Sequence, residues 1–208
     1  KSDHSGRTGL NKGESCVGCH EEKGGLNFDM KRLASKELEP KGAPKTMSFP
    51  VTIQSAYDKE NAYIRVSFKA PAGAFDPVDK ENEVKVAMMF ANAEVPKGDQ
   101  VGCWATCHGD ARTMPGADDK KTKYTKSGAY ELMQWKSAAG AKAVDGSVTD
   151  KRNMEGGTAN VQVTGGKSGD TYTVTFTRKL SGALAEGKAV PFGVAVHADH
   201  ATGRFHHV

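Results

Sequence analysis

The stretch "AYIRVSFKA", residues 62–70, alternates side chains, with Ala62, Ile64, Val66 and Phe68 on one side and Tyr63, Arg65, Ser67 and Lys69 on the other. Successive side chains of a strand point to opposite faces, so a period of two marks a strand with one buried face. The same period recurs in "SFPVTIQSAY" at 48–57, "EVKVAMMFA" at 83–91, "ANVQVTG" at 159–165, "TYTVTFTRKL" at 171–180 and "VPFGVAVHA" at 190–198. Val, Ile, Thr, Tyr and Phe are enriched in these runs, as strands prefer. Clusters of Gly, Pro, Asp and Asn separate them, as in "APAGAFDPVDKENE" and "GGKSGD", which is turn chemistry. The pattern predicts a mainly β chain of at least six strands folded as an antiparallel β-sandwich.

Two segments do not fit that period. Residues 1–46 are rich in Gly, Lys, Glu and Ser and have no clear repeat, so they are an irregular N-terminal unit unable to build a core of their own, and 47–208 is the sandwich domain. Within the sandwich, 92–157 is a long excursion with one predicted short helix, "GAYELMQWKSAA" at 128–139. Connections of that length are usually functional or folded around something.

All four cysteines fall in two clusters, "CVGCH" at 16–20 and "CWATCH" at 103–108. C-x-x-C-H is the spacing of covalent haem attachment: two thiols add across the porphyrin vinyl groups, and the adjacent imidazole reaches the iron. Cys16 and Cys19 then carry the thioethers and His20 the proximal ligand. The second cluster has one extra residue between its cysteines, which a bulged turn absorbs while the Cys-His adjacency is kept, so Cys103, Cys107 and His108 take the same roles. Two readings compete. A structural zinc site takes thiolates in such pairs but leaves both histidines unused, and two local disulfides close loops too short to restrain much chain entropy. The expected cofactors are two covalently bound haem c groups, one as the core that residues 1–46 lack and one filling the excursion.

Composition narrows the setting. The chain is 37% hydrophobic and 26% charged with a net charge of +4, and no run approaches the ~18 apolar residues of a membrane span. The positive charge is dispersed in short pairs such as Lys120-Lys121, which does not suggest nucleic acid. The chain opens without a signal peptide and reads as a mature chain or a fragment; haem attachment to cysteine implies an exported, periplasmic location, compatible with an anchor outside the sequence. No Ser-His-Asp or paired-carboxylate arrangement stands out, and the glycine-bearing "GGLNFDM" and "VPKGDQVG" lack the Gly-Lys-Ser/Thr ending of a phosphate loop.

Taken together, "DHSGRTGLNKGESCVGCHEEK", "IQSAYDKENAYIRVSF", "VAMMFAN", "GCWATCHGDARTMPG", "YELMQWKSA" and "VPFGVAVHADHATGRFHHV" cover nearly the whole chain. Their order resembles the haem-binding domain family of the gamma subunits of ethylbenzene dehydrogenase and dimethyl sulfide dehydrogenase, with the related c-type cytochromes that add an N-terminal C-x-x-C-H segment. The resemblance implies a β-sandwich that grips haem near its strand ends and passes electrons for a partner protein. In the dehydrogenase subunits it implies a non-covalent haem held by Met and by a Lys near the chain end. This sequence departs there, with a covalent cluster and with "GRFHHV" where the Lys falls.

Seven histidines are present, and five remain once His20 and His108 are assigned. By likeness to the cytochrome members, and because a Gly-rich segment can wrap a haem face, His4 is the expected distal ligand of the first haem, with Met30 as its rival. By analogy with the terminal Lys, His206 is the expected distal ligand of the second. His207 is the alternative, since neighbours on a strand point to opposite faces. His197 and His200 read as loop or turn residues, Met88, Met89 and Met114 as fillers, with Met114 also a minor ligand candidate. Trp104 and Trp135 are either porphyrin neighbours or ordinary core; Asp110 and Arg112 are either propionate partners or solvated charges.

Two ligands on each iron make the chain an electron carrier between redox partner proteins, not an enzyme, with a membrane-anchored quinol oxidase or a cytochrome as a candidate donor. An open iron site would instead make it a gas- or peroxide-binding sensor or enzyme, and a haem subunit of a larger molybdenum oxidoreductase is the carrier role within a complex. If residues 1–46 depend on their own haem, the double change Cys16→Ala and Cys19→Ala is expected to disorder that segment and to leave the other haem's absorption spectrum standing; joint loss of both signals would contradict the division into two units.

Overall fold

The computed structural model describes residues 8–9, 12–14, 21–22, 25–26, 49–71, 79–92, 94–95, 128–149, 151–185, 187–201 and 206–207. Eleven strands are found among them: β1 (Glu21–Glu22), β2 (Gly25–Leu26), β3 (Val51–Tyr57), β4 (Asn61–Lys69), β5 (Lys85–Ala91), β6 (Tyr130–Lys136), β7 (Val144–Val148), β8 (Arg152–Asn153), β9 (Gln162–Ser168), β10 (Thr171–Lys179) and β11 (Phe192–His197). β1 and β2 pair as a small hairpin; the rest form a four-stranded sheet, β3-β4-β10-β9, and a five-stranded sheet, β11-β5-β6-β7-β8. Every pairing is antiparallel. The chain is mainly β with two principal antiparallel sheets, as its period of two requires.

The alternating residues of "AYIRVSFKA" behave as read. Ile64, Val66 and Phe68 are buried and join Tyr172, Val174 and Phe176 of β10 in one cluster with Val86, Met88, Phe90, Met133, Trp135 and Val196 of the five-stranded sheet. At one end of this cluster the fully buried Arg178 reaches Glu131 Oε2 on β6 at 2.5 Å and donates to the carbonyl of Ser181 at 3.0 Å. Glu131 Oε1 accepts the amide of Ala183 at 2.9 Å, so the connection after β10 is tied to β6.

Two expectations are corrected. "GAYELMQWKSAA" is not a helix: Tyr130–Lys136 is β6, paired residue for residue with β5 from Ala91↔Tyr130 to Lys85↔Lys136. Tyr130 and Leu132 are buried on one face and Met133 and Trp135 on the other, so a strand apolar on both sides loses its alternation, and its Glu, Leu, Met and Ala then mimic a helix former. The excursion is also shorter than 92–157, because β6, β7 and β8 occupy its second half.

The strand predicted at 159–165 runs instead from Gln162 to Ser168, through glycines that read as a turn. The hairpin turn is Gly169-Asp170, with Gly169 at φ 59°. Gly165 sits in mid-strand because the Trp135 ring lies against it: a Cβ there would stand 2.5 Å from the ring. Trp135 also meets Tyr172 edge-on at 6.3 Å between centroids, so its place in the core is explained by the protein alone. Gly165→Ala is expected to destabilise the fold by about 1–3 kcal/mol through overpacking, seen as a lower urea midpoint; Gly166→Ala, where a Cβ meets nothing, serves as the control.

Candidate haem site

β5 and β6 are buried on both faces. The inner face joins the core shared with the four-stranded sheet; the outer face, turned away from that sheet, forms a second buried cluster of Ala87, Ala91, Tyr130, Leu132, Val144 and Val148, with Met89 and Ala195 packed against it. Gly146 stands opposite Leu132 and Gly193 opposite Met89 in register, so this face carries several small or absent side chains. Gly146 is overlaid by the backbone of Asn153 and Met154, so the low part of this face is at Ala87, Ala91 and Ala195, beside the larger Met89, Tyr130 and Leu132.

One end of this face is where the excursion begins and ends. Asn92 follows β5, and its amide donates to the carbonyl of Ala129 at 3.0 Å. Its side-chain oxygen accepts the amides of Ala129 at 3.1 Å and Glu94 at 3.2 Å. Gly128 makes the return at φ +74°, and a Cβ there would stand 2.7 Å from the backbone nitrogen of Val95, so no other residue fits without a shift. Residues 93–127, which include the second cysteine cluster, are therefore rooted at one closed neck.

The histidines gather at the other end. His197 closes β11, is 6% exposed and pairs with Lys85, six residues along β5 from Ala91, so roughly 20 Å of strand separates it from the neck. His206 lies against it, ring centroids 4.9 Å apart. His207 pairs with Val196, a core residue, through two backbone hydrogen bonds of 2.8 Å, and its ring meets Phe49 at 4.9 Å. Partners across a ladder share a face, so His207 goes inward with Val196 and Phe49, whereas His206 goes outward with His197. The two neighbours do diverge.

His197 is a buried strand residue, not a loop residue as its sequence suggested. His200 does lie in a turn, at φ +59°, with Nδ1 2.7 Å from the carbonyl of Asp79. Met88 is core, and Met89 is packed on the outer cluster. Cys16, Cys19, His20, His4, Met30, Cys103, Cys107, His108, Trp104, Asp110, Arg112 and Met114 lie outside the described residues. Of the expected iron ligands, His206 alone is among the described residues, with the imidazole of His197 beside it and Lys85 opposite His197, and an imidazole is a donor that fits haem iron.

A polar cluster that sequence reading missed stands beside the histidines. Lys85, only 8% exposed, donates to Asp79 Oδ2 at 2.5 Å and to the carbonyl of Ala201 at 2.8 Å. Asn82 donates to Asp79 from its backbone at 3.0 Å and from its side chain at 3.1 Å. Burial by itself pushes the Asp79 carboxyl up, but the bonds from Lys85 and Asn82 outweigh it and hold the group well below the usual carboxylate range.

A family model described as ethylbenzene dehydrogenase matches residues 30–168. The chain belongs to this family. Its full length is 44% identical to a cytochrome c-551 of Rhodocyclus tenuis, over 81% of that protein. It is likewise 45% identical to a cytochrome c-552 of Stutzerimonas stutzeri, over 75% of that protein. The resemblance read from the six stretches is thereby shown, and both relatives carry the name of a c-type cytochrome.

Because the folded Asp79 carboxyl is held below its ordinary value, its contribution to stability is present above about pH 4 and is lost as pH falls below that. Urea midpoints measured from neutral to acid pH are expected to fall more steeply for the parent chain than for Asp79→Asn. Parallel curves would contradict this.

Proposed function

We propose that the chain is a dihaem c-type cytochrome of the periplasm that carries electrons between redox proteins. The coarser part follows from the family and its relatives: this is an electron-transfer protein of the c-type cytochrome kind and not an enzyme. No helix among the described residues is long and apolar enough to cross a membrane. The finer part rests on one observation, the shared end of the outer sheet face where His206 meets His197, read with the two Cys-Cys-His clusters.

In this reading residues 1–46 hold one haem through Cys16 and Cys19, with His20 and His4 facing the iron, and 47–208 hold the other through Cys103 and Cys107, with His108 and His206. Bound haem c supplies a reversible one-electron change at iron, with a potential set by axial ligands, burial and nearby charge. The chain's own residues do the rest. The neck at Asn92 and Gly128 fixes where residues 93–127 leave the sheet, and that segment of 35 positions is long enough to run back along the outer face to His206. Ala87, Ala91, Ala195 and Leu132 keep that face dry, which limits the solvent rearrangement that a change of charge would otherwise demand. His206 and His197 are the imidazoles placed to approach from its far end.

Intact mass after denaturation and acid extraction is expected to exceed the polypeptide by two haem masses, and one haem mass would remove "CWATCH" from the account. His206→Ala is expected to turn one of two low-spin haems into a high-spin, carbon-monoxide-binding form, while His207→Ala changes the spectrum little. The reverse pattern would place the ligand on the inward side, with Val196 and Phe49.

A further inference from the structure

The turn that precedes the terminal histidines has one hydrogen bond of its own, from the Ala201 amide to the Ala198 carbonyl at 3.1 Å. Ala198–Ala201 makes two consecutive positive φ angles, 53° at Asp199 and 59° at His200, in residues for which the left-handed region is costly. Further bonds to the turn come from residues 79–85, the loop before β5 and its first residue. Asp79 donates its amide to the carbonyl of His200 at 2.9 Å, and His200 donates its own amide to the carbonyl of Glu83 at 2.9 Å. The His200 ring meets the Asp79 carbonyl at 2.7 Å, and Lys85 Nζ bridges Asp79 Oδ2 to the carbonyl of Ala201. Lys85 stands directly opposite His197 in the ladder, on the outer face, so its ammonium is buried at the end of the sheet where His206 lies.

A charged pair with side chains 10% and 19% exposed is a poor source of net stability, because desolvation offsets most of the attraction. In some proteins such a pair instead specifies one geometry among several. We propose that the Asp79–Lys85 pair is a positioning device for the terminal histidine ligand: it locks the 198–201 turn so that the chain returns with His207 bridged to Val196 and His206 pressed on His197. This rests on the reading above that His206 ligates the second haem. Lys85 and Asp79 are positioning residues, acting through the turn.

The test uses the full haem-loaded chain carrying Lys85→Met, which keeps the length and apolar stem of the side chain and removes the charge. Two readouts are taken together. The first is amide hydrogen exchange at Val196 and His207, whose mutual hydrogen bonds report the placement of the C-terminus, expected to speed up by about tenfold or more. The second is the spin state, where one haem is expected to gain a high-spin, carbon-monoxide-binding fraction and to shift in potential while the other stays unchanged.

Lys85→Arg, which retains charge and donors, is expected to restore both readouts towards the parent values. Should Lys85→Met fail to fold, Asp79→Asn, which keeps the shape of the acceptor, is read in the same two ways. Faster exchange with an unaltered spectrum keeps the device and overturns His206 as ligand. An altered spectrum with unchanged exchange overturns the device, as does no change in either.

Discussion

A strand buried on both sides needs apolar surroundings on each, and β5 and β6 have the four-stranded sheet on only one of theirs. Their inner residues, Val86, Met88, Phe90, Met133 and Trp135, meet Val66, Val174 and Phe176 across the core. Their outer residues, Ala87 and Ala91 on β5 and Tyr130 and Leu132 on β6, are buried equally well and mix small side chains with large ones. A core of side chains alone fills its space with large residues at close packing. On the outer face Ala87, Ala91 and Ala195 are low, and a flat group is proposed to lie over them. The rest of the molecule is arranged about that requirement, with the excursion's neck at one end of the outer face and the histidines at the other.

Legibility in the sequence followed burial. β4 and β10 each have a single buried face, so their alternation was plain, and the pairing of Ile64 with Phe176 and of Val66 with Val174 follows from it. β6 is buried twice over, and its alternation vanished beneath Tyr130, Leu132, Met133 and Trp135; its ladders with β5 and β7 fix it as a strand. Gly165 and Gly166 read as a turn, and the reason for glycine at 165 is a tryptophan thirty residues earlier in the chain.

The site divides in the same way. Cysteine clusters are legible because thioether attachment and proximal ligation are local chemistry, packed into five or six consecutive residues. Distal ligands are chosen by the fold, and adjacency of His206 and His207 hid that one turns outward to His197 and the other inward to Phe49. Least legible was Lys85. Its partners are Asp79, six residues away in what reads as loop, and the carbonyl of Ala201, 116 residues away. In a strand pattern it occupies the polar phase, and nothing local announces that this phase is buried. The Asp79 carboxylate 2.5 Å away offsets the Lys85 charge, so the pair acts through the geometry it fixes more than through its field.

The central claim is that the second haem lies on the outer face of the five-stranded sheet with His206 as its distal ligand. The most direct measurement is a crystal structure of the haem-loaded chain with anomalous scattering recorded at the iron edge. The account predicts two iron peaks per chain, one of them within bonding distance of the His206 imidazole and over Ala87 and Ala195. A single iron peak, or a second iron lying between the sheets against His207 and Phe49, would contradict it.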